Sequence, residues 1–292
     1  MDRSDLAKRM KGYEKRNRYY LQRRMPVILR LDMRAGHSFT KGFKRPFDEV
    51  FIKSMQETAK YLCENIQNCK LSYQQSDEIT LLLVDYDKLN TDCFFDYRVD
   101  KLCSIAASMA TMAFNKFFEK YVDEYRFSKW DGVSNYEDGT WGYIQTLLNA
   151  VDKGAMFDAR CFNIPKEEVT NNFYWRQDDA SRNSIQMVGQ ANFSHKELHK
   201  KSRNDIQDML MTQKGINWND FPIYQKRGSC CIKEEYAVND NGEEVEVDCV
   251  TDVDEPVESV TFRSRWIIDT DIPIFKGKGR EYIDRLVFVG KE

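Results

Sequence analysis

The hydrophobic positions along the chain follow two different periods, and their order predicts a fold of strands and helices. Apolar residues at helical spacing predict a helix that begins after Asp48 and ends near residue 67, and another over 99–122. The order strand, helix, strand, strand, helix, strand is the split βαββαβ arrangement of an α+β, ferredoxin-like sheet. Its strands are predicted from short apolar runs bounded by turn residues, over 27–31, 69–75, 79–84 and 155–163.

Further elements are predicted on both sides of this unit. A charged helix over 4–24 ends before Pro26, and residues 127–154, rich in Gly, Trp and Tyr, are expected to be irregular. We expect two domains, divided after residue 213: the first holds the βαββαβ unit, the N-terminal helix and a helical extension over 166–213. The second, 214–292, is strand-rich, with strands near 228–237, 244–250 and 258–268.

Charge is distributed unevenly, which changes the picture given by the net charge of −3. Residues 234–258 contain eleven Asp and Glu and no Lys or Arg, so the remainder of the chain carries +8. A basic body with one acidic stretch is compatible with a nucleic-acid partner, which the net charge hides. Residues 1–30 are the most basic part, with ten Lys and Arg against three Asp and Glu.

Cysteine, histidine and hydropathy patterns argue against several classes of protein. The eight cysteines form no C-x-x-C pair and the chain has three histidines, so a zinc site is not expected. The first ten residues, MDRSDLAKRM, lack the apolar core of a signal peptide. No apolar run approaches the ~20 residues that span a bilayer. We expect a cytoplasmic protein with reduced cysteines and no membrane partner.

Two aspartates that are far apart in the sequence meet in this topology. The first strand ends at Asp32, and the turn Ser76-Asp77-Glu78 separates the second and third strands. Because the third strand runs back between the other two, Asp32 and Asp77 should lie on neighbouring strands at one edge, about 5 Å apart. Carboxylates so close repel unless a cation lies between them, and Mg²⁺ prefers such oxygen ligands. We expect a magnesium site for nucleotidyl transfer, although an acidic turn alone is usually a solvated surface feature.

Four segments carry a family resemblance: RLDMRAGHSFT (30–40), SYQQSDEITLLL (72–83), FDARCFNIPKEEVTNNFYWRQDDASRN (157–183) and GINWNDFPIYQKRG (215–228). In their order and spacing they resemble the tRNA-His guanylyltransferase superfamily. The resemblance implies a polymerase-type palm of ferredoxin type, which agrees with the strand order above. It also implies an enzyme that adds nucleotides to RNA 5′ ends in the 3′→5′ direction, with tRNA as partner, and a homo-oligomer, specifically a tetramer.

The resemblance assigns roles to residues at the matching positions. Asp32, Asp77 and Glu78 are the implied catalytic residues, and two Mg²⁺ ions are implied at Asp32, Asp77 and the backbone carbonyl of Met33, where the family usually has Gly. The loop 34–37 resembles a triphosphate cradle of backbone amides, Arg and His. The implied nucleotide-binding residues are Arg30, Asp32, Met33, Arg34, Ala35, Gly36, His37, Arg45, Ser76, Asp77, Asn183 and Arg203. ATP and GTP, or other NTPs, are the implied substrates.

One departure from the family pattern bears on the substrate. After WRQ, where eukaryotic tRNA-His enzymes have HINNLYN, residues 181–187 read SRNSIQM. This pattern is similar to the guanylyltransferase-like branch, which favours template-dependent repair of truncated tRNA 5′ ends. Addition of a single extra 5′ G to tRNA-His stays open as an alternative. So do another palm-type activity, such as a cyclase or a 5′→3′ polymerase, and a non-catalytic RNA-binding module.

Two basic segments are candidates for RNA backbone contact. The first lies in the N-terminal helix, and the second, SHKELHKKSR (194–203), is expected to present a basic helix face. A solvated surface is the alternative for both. The candidate residues are Lys8, Arg9, Lys11, Lys15, Arg16, Lys196, Lys200 and Lys201. Tyr174 and Trp175, in NNFYWRQ, are expected to be core residues.

Overall fold

The structure, a computed structural model, describes residues 4–129, 139–239, 241–245 and 260–289. Its strands are β1 (Val27–Met33), β2 (Cys69–Gln75), β3 (Glu78–Leu83), β4 (Phe157–Asn163), β5 (Ser229–Val238), β6 (Glu244–Val245) and β7 (Thr261–Asp269). Its helices are α1 (Asp5–Lys15), α2 (Gly36–Phe39), α3 (Glu49–Asn65), α4 (Val99–Ser128), α5 (Thr140–Lys153), α6 (Lys166–Asn192), α7 (His195–Leu198), α8 (Arg203–Lys214), α9 (Ile223–Arg227) and α10 (Glu281–Val287). No described helix is long and apolar enough to cross a membrane.

The strands form one antiparallel sheet in which β3 lies between β1 and β2, and β4 lies on the other side of β1. The strand order β4-β1-β3-β2 is that of a βαββαβ unit, so the predicted α+β, ferredoxin-like fold is confirmed. In the register of β1, Asp32 lies opposite Glu78 on β3 and opposite Asp158 on β4. These three side chains therefore point to the same face of the sheet.

Helices cover both faces of the sheet. Successive strand residues point to opposite sides, and both sides carry buried apolar residues. Leu29 and Leu31 pack with α3 and α4 in the larger core, whereas Ile28 and Leu82 pack with α6 and α10 in the smaller one. The strands β2 and β3 are buried at nearly every position, as expected for strands covered on both faces.

The N-terminal helix is shorter than its sequence predicts. α1 ends at Lys15, and the prediction of a helix up to residue 24 is wrong beyond that point. α1 buries none of its side chains within the described structure, so tertiary packing does not extend it. The following segment is instead held by backbone contacts with residues before α4: Tyr20 bridges Arg98, and the Leu21 amide donates to the Tyr97 carbonyl at 3.0 Å.

The region 127–154 is less irregular than expected. Residues 140–153 form α5, which follows Gly139 in the left-handed conformation and buries Ile144, Leu147 and Ala150. Trp141, Gly142 and Tyr143, which suggested a loop, therefore lie in a helix, and its packing on α4 overrides the loop signal. Residues 130–138 lie outside the described residues.

The C-terminal strands join the same sheet. β5 pairs with β2 from Leu71↔Ile232 to Gln74↔Ser229, and β7 pairs with β5 from Cys230↔Asp269 to Val238↔Thr261. Of the strand expected over 244–250, Glu244–Val245 is present as β6, and the remainder lies outside the described residues, as does most of the acidic stretch. The division into two domains after residue 213 stays a prediction.

Candidate active site

The two predicted metal-binding aspartates come together at the edge of the sheet. Asp32 is the sixth residue of β1, and Asp77 lies in the turn between β2 and β3. The backbone amide of Met33 donates to the carbonyl of Asp77 at 3.0 Å, which ties the end of β1 to the turn. Ser76 has a positive φ of 48°, so this turn is tight, as the short sequence between the two strands requires.

The crowding of carboxylates has an electrostatic consequence for Asp32. Partial burial raises the pKa of the Asp32 carboxyl above its ordinary value of 3.8, and the negative charges of Asp77, Glu78 and Asp158 raise it further. The positive charge of Arg160 acts in the opposite direction. The ionised form of Asp32 is therefore destabilised in the protein alone, and a bound cation would stabilise it.

The loop after β1 closes against the hairpin turn. Ala35 adopts the left-handed conformation at φ 55°, and α2 begins at Gly36. A Cβ atom on Gly36 would lie closer than 3.0 Å to the Asp77 carboxylate, so residue 36 can only be glycine in this arrangement. The amide of Arg34 donates to the Met156 carbonyl at 2.8 Å, which joins the loop to the start of β4.

Glu78 is built into the wall of the site. Its two carboxylate oxygens accept hydrogen bonds from Nε and Nη2 of Arg176 on α6 at 2.8 and 2.7 Å, and both side chains are buried. The guanidinium of Arg176 also lies 3.1 Å from Asp179. This bidentate pair fixes α6 over the start of β3, next to Asp77. Arg176 was not predicted as a site residue from the sequence, although it lies in the WRQ segment that carries the resemblance.

A cavity of about 440 Å³ opens beside Asp77. Its walls come from α2 and the loop before α3, from the end of β2, from α6 and from the junction of α9 with β5. Six of the predicted nucleotide-binding residues line it: Gly36, His37, Arg45, Ser76, Asp77 and Asn183. Lys41, Lys44, Lys226 and Arg227 add to the positive charge of its lining, which suits an anionic ligand.

The contribution of α9 to the cavity was not anticipated from the sequence. Tyr73 on β2 is fully buried and donates its hydroxyl to the carbonyl of Arg227 at 2.7 Å. Gly228 has a φ of +83°, and its Cα faces the backbone of Gln74 so closely that no Cβ would fit. These contacts hold Lys226 and Arg227 at the cavity. The sequence signal that could have predicted these residues is QKRG, at the end of the fourth segment that carries the resemblance.

Other predicted site residues lie away from the cavity. Arg203 donates from Nη1 to Asp178 at 3.0 Å on the exposed surface. Arg34 and Ala35 are exposed and, with Arg30, Asp32 and Met33, do not appear in the cavity wall that the structure describes. Asp32 and Arg30 instead lie on the sheet face beside β4. The nucleotide-binding roles of these residues stay predictions.

The basic segments are exposed, and their RNA-binding role stays a prediction. The five candidates in and next to α1 are solvent-exposed: Lys8, Arg9, Lys11, Lys15 and Arg16. Lys196 lies in α7, which is one helical turn, and Lys200 and Lys201 follow it in a loop. The expected continuous helix face over 194–203 is therefore wrong, because the capping box of Ser202 and Asp205 starts the new helix α8.

Trp175 is not a core residue. Its side chain is 55% exposed on α6, next to the guanidinium of Arg176, whereas Tyr174 is partly buried against the smaller core. The expectation that both pack in the core is therefore wrong for Trp175. Neighbouring helical residues point about 100° apart, so one faces the sheet and the other faces solvent.

The donor atoms at the sheet edge fit a hard cation such as Mg²⁺. Asp32 and Asp77 supply carboxylate oxygens, and the backbone carbonyl of Met33 is adjacent in the chain. Within the described part of the chain, no three His, Cys, Asp or Glu side chains converge as the ligands of an all-protein metal cage would. A two-carboxylate site leaves coordination positions for substrate phosphates and water, which is the usual arrangement for Mg²⁺.

Comparison with known proteins gives consistent results. The family model described as Thg1, tRNAHis guanylyltransferase, matches residues 7–165. The structure is similar to a bacterial tRNA(His) guanylyltransferase (Thg1)-like protein in complex with ATP, with 40% identity, a TM-score of 0.74, and 98% of this chain and 100% of that chain covered. A bacterial Thg1-like protein in complex with GTP is 37% identical, with a TM-score of 0.72 over the same shares. The tRNA(His) guanylyltransferase of Saccharomyces cerevisiae is 25% identical over 80% of this chain and 90% of its own length.

Proposed function

Because the chain belongs to the tRNAHis guanylyltransferase (Thg1) family and is thus a nucleotidyltransferase, we propose that it repairs tRNA 5′ ends by template-dependent 3′→5′ nucleotide addition. The observation that carries this proposal is the cationic cavity that reaches Asp77 beside Asp32. The cavity would hold a triphosphate next to a pair of carboxylates, and nucleotidyl transfer requires this arrangement.

The cavity is suited to the nucleoside triphosphate. Its volume of about 440 Å³ is within the range of small-molecule sites, and its lysines and arginines complement phosphate charge. The similar bacterial structures are complexes with ATP and GTP, which supports both nucleotides as substrates of this chain. His37 and Arg45 line the cavity and would orient the phosphates, while Asn183 on α6 is a hydrogen-bonding group for the remainder of the nucleotide.

Magnesium is part of the proposal. Asp32, Asp77 and the Met33 carbonyl would hold it, and the raised pKa of Asp32 and the fit of Gly36 against Asp77 both agree with a site shaped for a cation. When bound, Mg²⁺ supplies positive charge that polarises an attacking hydroxyl and stabilises a leaving phosphate. The Arg176–Glu78 pair would hold the hairpin turn, and therefore Asp77, in place.

Both reacting groups belong to the substrates. A 5′-monophosphate end attacks the α-phosphate of ATP, which gives an adenylylated 5′ end and releases pyrophosphate. The 3′-hydroxyl of the incoming NTP then attacks the 5′ phosphorus, and AMP leaves. A 5′-triphosphate end would react directly with release of pyrophosphate. The chain therefore needs no Ser, Cys or His nucleophile, and its residues act by binding and orienting the two substrates.

The lining near Asn183 favours repair over addition of one particular base. Ser184 is buried and its Oγ already accepts a hydrogen bond from Nε1 of Trp218 at 3.0 Å, and Met187 offers a thioether. On this part of α6, the described cavity lining offers few polar side chains to read one base, namely Asn183, Ser184 and Gln190. Pairing with the opposite strand of the acceptor stem would select the NTP instead. Single-G addition to tRNA-His is the second candidate, since the yeast relative is named a tRNA(His) guanylyltransferase.

Incorporation of labelled NTPs into a tRNA that lacks its first 5′ nucleotide tests the proposal. We expect label at the 5′ end, dependent on Mg²⁺. Label at the 3′ end would indicate a 5′→3′ polymerase, and RNA binding without turnover of any NTP would indicate a non-catalytic module. The homotetramer implied by the resemblance stays a prediction, which light scattering of the purified protein measures.

A further inference from the structure

Two arginines face each other beside the carboxylates. In the antiparallel pairing of β1 with β4, Arg30 lies opposite Arg160, two residues from the pair Asp32↔Asp158. Residues two apart on a strand point to the same face, so the arginine pair and the aspartate pair lie side by side on the face that α6 partly covers. Arg30 is among the nucleotide-binding residues implied by the resemblance, whereas Arg160 was not predicted as a site residue.

Like charges directly opposite each other on neighbouring strands destabilise a sheet, so this pair needs a compensating interaction. Arg30 Nε is buried and makes no hydrogen bond within the described residues; Glu78, its nearest carboxylate at 3.8 Å, is already held by Arg176. Arg160 lies 3.3 Å from Asp158 through one nitrogen, and its side chain is 52% exposed. The two guanidinium groups therefore retain donors for an anion.

The arginine pair and the cavity lie on opposite sides of the carboxylates. The cavity is lined by Asp77 and by residues 74–76 at the end of β2, and its described lining includes no residue of β1 or β4. Arg30 and Arg160 lie on those two strands. A nucleotidyl transfer needs two substrates, one on each side of the carboxylates, and the cavity accounts for one of them.

This second side is open enough for a nucleic acid end. β4 is an edge strand of the described sheet, and its side chains on this face, Asp158, Arg160 and Phe162, are all exposed. Phe162 is therefore an exposed aromatic side chain two residues from Arg160 on the same strand face. Exposed aromatic side chains next to arginines are the usual combination at surfaces that bind single-stranded nucleic acid ends.

We propose that Arg30 and Arg160 bind the 5′-terminal phosphate of the RNA substrate while the cavity holds the NTP. This assignment rests on the proposed function. It places the phosphorus that is attacked next to Asp32, between the two binding sites. A guanidinium pair suits a terminal phosphate because that group carries up to two negative charges and several acceptor oxygens.

The test is equilibrium binding, without NTP, of two tRNAs that differ only in a 5′-phosphate or a 5′-hydroxyl. We expect the wild-type protein to prefer the phosphorylated tRNA. Arg160→Ala should weaken binding of that tRNA about tenfold and remove the preference, because one charge-assisted phosphate contact is lost. Arg160→Lys should retain part of the preference for the phosphorylated tRNA, because the positive charge remains. Arg263→Ala, which removes an exposed arginine from the edge strand β7, is the matched control and should change neither affinity.

Three outcomes would overturn the inference. If Arg160→Ala weakens binding of both tRNAs equally, Arg160 contacts an internal phosphodiester and not the 5′-terminal phosphate. Unchanged tRNA binding with a raised KM for ATP would assign the arginine pair to the NTP. If Arg160→Ala changes neither the affinity for tRNA nor the KM for ATP, Arg160 is a surface residue that binds neither substrate. Failure of the proposed function is separate, since it would be seen as a lack of nucleotide incorporation by the wild-type protein, whereas these binding constants need no turnover.

Discussion

Asp77 fills the space in which a side chain on residue 36 would have to lie. An ideal Cβ atom on Gly36 comes closer than 3.0 Å to both Oδ2 and Cγ of Asp77, a separation that real Cβ atoms essentially never show. The loop after β1 thus packs on the carboxylate that the hairpin turn presents. Gly36, predicted as part of the triphosphate cradle, therefore also determines where the Asp77 carboxylate lies.

Gly36→Ala should therefore impair catalysis more than stability. The Asp77 side chain can rotate away from the new methyl group, so the fold should survive, but the carboxylate would leave its position. We expect kcat/KM to fall by about 10² or more, since misplaced charge at a reaction centre has effects of this size. Gly142→Ala is the control, because a Cβ atom on Gly142 would have no described atom within 4 Å outside its own helix backbone and chain neighbours. Near-normal activity of Gly36→Ala would contradict the role given to this contact.

Asp32→Asn and Asp77→Asn should each abolish incorporation while the protein remains folded. Either change removes a charge that holds the cation, and the loss should be at least about 10²-fold in rate. EDTA should have the same effect on the wild-type protein, and excess Mg²⁺ should reverse it. Asp208→Asn changes an exposed carboxylate on α8 and should be active. If either active-site variant keeps more than about a tenth of the activity, the two-carboxylate site is wrong.

The raised pKa of Asp32 predicts how stability depends on pH in metal-free buffer. Burial and the neighbouring carboxylates make the folded protein bind this proton more tightly than the unfolded chain does. Stability from this group is therefore lost as the pH rises through the interval between 3.8 and the raised value. Asp32→Asn lacks this loss, so it should be more stable than the wild type at pH 7 in EDTA.

Thermal melts with EDTA and with Mg²⁺ measure this effect. The difference between Asp32→Asn and the wild type should disappear near pH 3, where both unfolded and folded carboxyls are protonated. Mg²⁺ should raise the melting temperature of the wild type and not that of the variant, because a ligand stabilises the state that binds it. A variant less stable than the wild type at pH 7 in EDTA would show that Asp32 is not under electrostatic strain.

The Arg176–Glu78 pair should be the most sensitive polar contact near the site. Arg176→Met leaves a buried carboxylate without its partner, which typically costs about 3–5 kcal/mol in the free energy of unfolding. Urea unfolding measures this cost. The double variant Glu78→Gln with Arg176→Met should recover part of it, since neither charge of the buried pair remains. Arg203→Met breaks an exposed pair with Asp178 and should cost less than about 1 kcal/mol.

Substrate choice separates tRNA repair from single-G addition. Residues 181–187, SRNSIQM, lie on α6, and Asn183, Ser184 and Met187 line the cavity. A tRNA lacking its first 5′ nucleotide should be preferred over full-length tRNA-His in direct competition, measured as a ratio of kcat/KM values. The NTP incorporated should change when the opposing base of the 3′ strand is changed. Addition of G regardless of that base, with preference for full-length tRNA-His, would favour the guanylyltransferase alternative.

Much of the site follows from local sequence signals. Short apolar runs bounded by turn residues determine β1 and the β2–β3 hairpin, and Asp48 caps α3, where its Oδ1 accepts from the Phe51 amide at 3.1 Å. Given the order of these elements, the strand topology brings Asp32 and Asp77 to one edge. Such features could be read because hydrophobic period, capping and turn chemistry act over a few residues.

Other features needed the tertiary structure. The length of α1, the helix α5, the Arg176–Glu78 pair and the pairing of Arg30 with Arg160 each depend on contacts between residues far apart in the chain. α1 ends early because no core packs against it within the described structure, while α5 forms because α4 offers one. The sequence by itself determined which residues could form strands, caps and turns. Only the fold decided register and helix packing, since one residue of strand slip would turn Arg160 and Asp158 to the opposite face.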